Sequence, residues 1–137
     1  MADITVTPAN VIVSTGATKV DGTFGETVTA GAALYKKSTD SEWYLAQADS
    51  ATEDDLVGIA LDGGANAQPG FIQTRGNITI GGTVAIGQVY VVSALYGKIA
   101  PWSDLVATNY VTIVGIGISA TVIQLTPQTT GVQIPAP

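Results

Sequence analysis

Few residues in this chain have the chemistry for catalysis or ligation, and the missing types narrow the field first. The 137 residues include no Cys and no His. Thiolate nucleophiles, disulfides, Ser-His-Asp and Cys-His catalysis, and the usual zinc ligand sets are therefore excluded. Asp49, Glu53, Asp54 and Asp55 form the one acidic cluster that invites a calcium reading. An EF-hand loop starting at Asp49 needs Gly at its sixth position and Glu at its twelfth, where this chain has Asp54 and Ala60. Glu53-Asp54-Asp55 fits better as the first turn of a short helix, opened by the capping box Ser50-Ala51-Thr52-Glu53, where negative charge suits the helix dipole. No second acidic cluster offers a partner for carboxylate-pair hydrolysis. The expectation is a protein without catalytic residues, cofactor or metal.

Gly115-Ile116-Gly117-Ile118-Ser119-Ala120 matches the dinucleotide pattern G-x-G-x-x-G/A. That pattern binds pyrophosphate only where a strand gives way to a helix N-terminus. Here Thr121-Val122-Ile123-Gln124-Leu125 continues as another strand. The glycines are expected at a bulge or a close packing contact. Trp43, Tyr44 and Trp102 each admit a surface and a core reading; a core place is expected for at least one Trp, and Trp102, in the irregular loop Pro101-Trp102-Ser103-Asp104, is the better surface candidate. An exposed Trp could stack on a sugar. Lys36-Lys37 reads as a solvated strand end that discourages edge pairing. Asn77-Ile78-Thr79 matches a glycosylation acceptor, which carries no weight without a secretion signal.

The elements that must position these residues are strands. Hydrophobic residues make up 46% and charged residues 12%, the latter about half the usual share. Such a chain folds. Ile4 and Val6, Ile78 and Ile80, and Val111 and Ile113 alternate with threonines, the period of a strand with one buried face. Asp21-Gly22, Asp62-Gly63-Gly64, Pro69-Gly70, Gly76-Asn77, Gly81-Gly82 and Tyr96-Gly97 supply turns. The expected class is all-β.

A repeat organises the middle of the chain. Thr27-Val28-Thr29-Ala30-Gly31, leading to Leu34-Tyr35, returns as Thr83-Val84-Ala85-Ile86-Gly87, leading to Val89-Tyr90. Val57-Gly58-Ile59-Ala60-Leu61 returns as Val114-Gly115-Ile116-Gly117-Ile118, and Phe71-Ile72-Gln73 compares with Val122-Ile123-Gln124. Two units are too few for a solenoid, so they are expected to pack as one small barrel or sandwich with a pseudo-twofold axis. This divides the chain into an N-terminal arm over 1–20, a β domain over 21–126 with halves at about 25–75 and 81–126, and a C-terminal tail over 127–137. Val11 and Val13 in the first segment, and Val132 and Ile134 in the last, read as apolar anchors that order against a neighbour, with Ile4-Val6 added to another chain as a strand.

Charge and address complete the outline. Net charge is -6, which argues against a nucleic-acid partner. Met1-Ala2-Asp3 carries no basic residue and no apolar run follows, so no signal peptide is read. From Leu105 to Pro137 there is no charge, but Gly, Thr, Asn, Gln and Pro interrupt the stretch too often for a spanning helix. A soluble protein made in a cytoplasm, with no membrane partner, is expected.

Several segments together resemble the small capsid cement, or head decoration, proteins of tailed bacteriophages. They are Ala2-Asp3-Ile4-Thr5-Val6-Thr7 with Asn10-Val11, Thr27 to Gly31, Leu56 to Leu61, Val89-Tyr90-Val91-Val92-Ser93, Gly97-Lys98-Ile99-Ala100-Pro101, and Tyr110 to Gly117. The resemblance runs from about Ala2 to Val132. It implies a non-enzymatic virion protein on the outer surface of the capsid, made in the host cytoplasm, whose partners are the major capsid protein and itself, as a trimer by preference or a dimer. Ile4, Val6, Val11 and Val13 are then expected to anchor the N-terminal arm on shell subunits. The alternative classes are a carbohydrate-binding or structural module of a tail or fibre, and a tail-tube or neck component that forms rings.

Overall fold

A computed structural model describes residues 3–14, 16–48 and 57–134. The acids from Asp49 to Asp55, the capping box at Ser50, Leu56, and Pro135-Ala136-Pro137 lie outside the described residues. The protein is all-β. Among the described residues, ten strands form one antiparallel sheet: β1 (Val11–Val13), β2 (Thr18–Thr23), β3 (Ala33–Lys36), β4 (Trp43–Leu45), β5 (Val57–Ala60), β6 (Pro69–Ile80), β7 (Val89–Val92), β8 (Ile99–Pro101), β9 (Tyr110–Gly117) and β10 (Val122–Gln133). The order is β4-β3-β5-β6-β10-β9-β7-β8, with β1 and β2 also paired to β6.

The order is the same read from either end, with β4, β3, β5 and β6 exchanged for β8, β7, β9 and β10. Backbone hydrogen bonds recur with it. The Gly31 N–H donates to the Ala60 carbonyl at 2.8 Å and the Gly87 N–H to the Gly117 carbonyl at 2.8 Å. The Val28 N–H donates to Gly64 at 2.8 Å and the Val84 N–H to Ala120 at 2.9 Å. Both turn glycines hold positive φ, +87° at Gly31 and +80° at Gly87, a region that costs other residues about 1–2 kcal/mol. The sheet curls into a half-barrel because its two end hairpins meet. The Gly97 N–H donates to Ala46 at 2.8 Å, and Gly97 accepts from the Ala33 N–H at 3.0 Å.

One core fills the inside of the curl, drawing Tyr35, Ile59, Ile78, Tyr90, Ile123 and Leu125 from both halves. A second, smaller cluster of Phe24, Val28, Leu34, Trp43 and Ile72 belongs to the first half alone. Two irregularities decide which side chains face which cluster. In β6, Ile72 joins the second cluster while Ile78 and Ile80 join the first. Even-numbered residues therefore change sides along one strand. The change comes at Thr74, which the partner register skips between Thr18↔Arg75 and Lys19↔Gln73, next to Gly76, whose φ is +90°. Gln73 braces this bend from inside: its Nε2 donates to Asn77 O at 2.9 Å and to Arg75 O at 3.1 Å. Gln73→Leu should lower unfolding stability by about 1 kcal/mol, because the Asn77 and Arg75 carbonyls lose a part-buried hydrogen bond; denaturant titration checks this.

In β9 the register jumps between Tyr90↔Gly115 and Val91↔Ile113. The extra residue, Val114, and Gly115 are both buried, and Ile116 beyond them faces out. Such a bulge leaves the strand's alternation out of step by one. The glycines of the apparent dinucleotide motif serve this packing: a Cβ on Gly115 would meet the Gln124 carbonyl, and one on Gly117 would meet the Ala85 carbonyl.

The segment expected as a free N-terminal arm lies against the body. The Ile4 N–H donates to Ile99 at 2.9 Å, the Thr7 N–H to Gly81 at 2.8 Å, and Ile4 itself is buried in the main core. Its alternation with Val6 reflects a side chain turned inward, and full burial of an Ile is worth about 1.5–3 kcal/mol. The expected tail boundary after Gln124-Leu125-Thr126 also moves, since β10 continues to Gln133 opposite Tyr110.

Candidate contact surfaces

The described residues hold no group of three or more Asp or Glu placed to share a metal ion. No helix among them is long and apolar enough to cross a membrane. Charge sorts the exposed surfaces into two kinds. After Arg75 only Lys98 and Asp104 carry charge. The first half holds the rest, including the turn between β3 and β4. There the Tyr44 hydroxyl donates to Asp40 Oδ2 at 2.6 Å, the Glu42 N–H donates to Asp40 Oδ1 at 3.0 Å, and Lys37 Nζ stands 4.9 Å from the Tyr44 ring centre.

That cluster sets two ionisations. The hydrogen bond from Tyr44 holds the Asp40 carboxyl below its ordinary 3.8, and the same bond pushes the Tyr44 hydroxyl up to about 12. The Asp40 contribution to stability is present above 3.8 and lost as pH falls through its lowered value. The Tyr44 contribution is complete below the ordinary 10 and lost as pH rises through about 12. Asp40→Asn should bring the Tyr44 hydroxyl back from about 12 toward 10, read as the difference in tyrosinate absorbance between variant and wild type.

The first surface is a pole at the β7–β8 turn. Trp102, on a single 3-10 turn spanning Trp102–Asp104, is 60% exposed, and Leu95, Tyr96 and Val106 are also exposed. Leu95, Asp104 and Leu105 line a shallow depression of about 410 Å³ with Asp3. Here Ser93 Oγ donates to Asp3 Oδ1 at 2.7 Å and accepts from the Leu95 N–H at 3.2 Å. Tyr96 turns toward a second cleft, of about 310 Å³, that Ile4, Val6 and Lys98 also line. Backbone bonds tie Ile134 to this region, with Thr108 N–H donating to Ile134 O at 2.9 Å and Ile134 N–H to Asn109 O at 2.8 Å.

The second surface is the outer face of the second half, where Ile12, Ile86, Ile116 and Ile118 are between 42% and 76% exposed. Ile12 belongs to the apolar run Val11–Val13, whereas sequence reasoning did not place Ile86, Ile116 and Ile118 on a surface; their only signal was the lack of charge after Arg75.

Of the residues expected to contact a shell, Ile4 is buried and Val6 and Val11 pack half-buried on the core. Val13 and Val132 are exposed and Ile134 is half-buried. The two sets are not brought together: β1 adjoins β6 opposite the Val122 end of β10, and Val132 lies at the other end of β10. Trp102 and Trp43 divide as expected, one on the surface and one in a core. No family model, curated protein or solved structure matches this chain.

Proposed function

We propose that this chain is a bacteriophage capsid decoration protein that binds the outer surface of the assembled head and stabilises it, without catalytic activity. The observation that carries this is the exposure of Leu95, Trp102 and Val106, in segments whose Leu95, Asp104 and Leu105 share one depression with Asp3. Exposed apolar patches on a folded domain mark contact with another macromolecule. The resemblance to cement proteins implies the major capsid protein as the partner. The physics of the task fits. A protein that binds only the assembled lattice stabilises it by mass action, and an oligomer that grips several subunits gains effective concentration from each. In this proposal the pole replaces Ile4 as the principal shell contact, while Val132 and Ile134 sit beside or near it on the β10 end.

The test is add-back of purified protein to heads that lack it, measured by co-sedimentation. Wild type should bind saturably. Trp102→Ala should weaken binding at least about tenfold, as loss of an aromatic anchor does, while leaving unfolding stability within about 0.5 kcal/mol. Unchanged binding by both Trp102→Ala and Val106→Asp would remove the pole from the proposal. Exposure of Trp102 also meets the requirement of the carbohydrate-binding alternative. Glycan-dependent quenching of Trp102 fluorescence would favour that alternative; no response to glycans favours the shell.

A further inference from the structure

We infer that the cleft where β10 parts from β6 binds a small organic carboxylate carried on an apolar body. Strand pairing makes the opening. Pro69 to Arg75 of β6 pair with β2 and, at Ile72 and Gln73, with β5. Gly76 to Ile80 pair instead with β10 and β1. The pairing of β10 with β6 ends at Leu125, and β10 goes on along β9 from Gln128↔Ile113. The space so opened is a cleft of about 420 Å³, lined by Thr74 and Arg75 of β6, Pro127 and Thr129 of β10, and Val57 of β5. Small-molecule sites run from about 300 to 1,000 Å³.

Charge marks this cleft. The molecule is acidic, at -6, with only five Lys and Arg, and Lys36 and Arg75 both line it. The other three are placed elsewhere. Lys19 Nζ stands 5.3 Å from the Phe71 ring centre and Lys37 Nζ 4.9 Å from that of Tyr44. Lys98 lines the separate cleft beside Ile4. Among the described residues, no carboxylate stands within 4.0 Å of Lys36 or Arg75. The fold brings the two together. Arg75 ends the β2–β6 ladder opposite Thr18, beside the skipped Thr74, and Lys36 is the last residue of β3, opposite Trp43. Lys36 and Lys37, adjacent in sequence at one strand end, thus part company.

Chemistry selects the ligand. A guanidinium is a planar fork that matches a carboxylate with two parallel hydrogen bonds, and an ammonium adds a second donor charge. Asp21 lines the same cleft, so two positive charges stand against one negative. That balance suits a single negative charge and opposes a dianion. The apolar lining is Val20, Val57, Pro127 and the buried Trp43. Against these residues an apolar body leaves water favourably, a gain that an inorganic anion does not have. The cleft shares no residue with the pole of Leu95, Trp102 and Val106, and its ligand is independent of shell binding.

Titration of the full chain with phenylpropionate at low ionic strength tests this, followed by the indole N–H signals in proton–nitrogen correlation spectra. Two tryptophans give two signals, and Trp102→Phe tells them apart. The Trp43 signal should shift saturably, with a dissociation constant of about millimolar order or tighter, while the Trp102 signal stays in place. Arg75→Gln should weaken binding at least about tenfold and Lys36→Gln at least about threefold, both with unchanged circular dichroism. Phenylpropionamide, the uncharged counterpart, and inorganic phosphate, which lacks the apolar body, should each bind at least about tenfold more weakly. The inference is overturned by no saturable shift at Trp43, by full affinity in the Arg75→Gln/Lys36→Gln double variant, or by equal binding of the amide or of phosphate. None of these results bears on binding to heads, which Trp102→Ala reads separately.

Discussion

Replacing Trp43 with Ala should lower unfolding stability by about 3–5 kcal/mol, a large share of the roughly 5–15 kcal/mol that holds a domain folded. Trp43 is 1% exposed and sits at the centre of the small cluster on the outer side of the first half. The chain makes room for it. A Cβ on Gly22 would lie 2.5 Å from the indole Cδ1 and Nε1, and Phe24 bridges directly to the Trp43 backbone. Loss of the indole opens a cavity bounded by two strands and a bridge, none of which can collapse without breaking sheet hydrogen bonds. Phe24, Leu34 and Ile72 would then face water in part. Denaturant unfolding monitored by circular dichroism measures this, and Trp43→Phe should lose less than half as much. A loss under 1 kcal/mol for Trp43→Ala would mean that the second cluster is not a structural core.

Gly115→Val should cost about 3 kcal/mol or more, the upper end of what overpacking does. The added Cβ falls on the Gln124 carbonyl, with Ile123 Cγ2 at 3.0 Å beside it. A flexible side chain could swing away; a carbonyl in the β9–β10 ladder cannot move without separating the two strands. Gly87→Ala is the informative control. Gly87 has φ +80° and nothing within 4 Å of a built Cβ, so its cost should be that of the left-handed conformation alone, about 1–2 kcal/mol. If the two variants lost equal stability, close packing at the bulge would not be the reason for Gly115.

These two positions also mark how far the sequence is legible. The all-β class follows from alternation and turn residues, because a period of two leaves a mark wherever one face is buried. The division between Trp43 and Trp102 follows from their neighbours, a strand-like run in one case and Pro101-Trp102-Ser103 in the other. Facing direction does not follow. Ile78-Thr79-Ile80 and Ile116-Gly117-Ile118 look alike as strings, yet the first pair is buried and the second exposed. The difference lies in the residues that the register skips, Thr74 in β6 and Val114 in β9, each of which shifts the alternation by one. A bulge is a property of two strands and their register, so one strand's residues do not announce it.

The same limit explains the arm. Ile4 and Val6 carry a strand's alternation, and that pattern does not say whether the buried face meets another chain or the chain's own core. The structure puts Ile4 against Ile99 and inside. For Val132 and Gln133 the reverse occurred: residues expected in a tail complete a strand opposite Val111 and Tyr110. The contact surfaces were legible only as an absence of charge, since exposed Leu95, Val106 and Ile118 differ from buried aliphatics in placement and not in type.

The most direct test of the proposed role is electron cryomicroscopy of the phage heads to which the proposal assigns this chain. Density for the curled ten-stranded sheet, seated on the outer lattice by the pole carrying Leu95, Trp102 and Val106, is the predicted result. Heads that lack the chain, or density for it in the tail or a receptor fibre, would contradict the account.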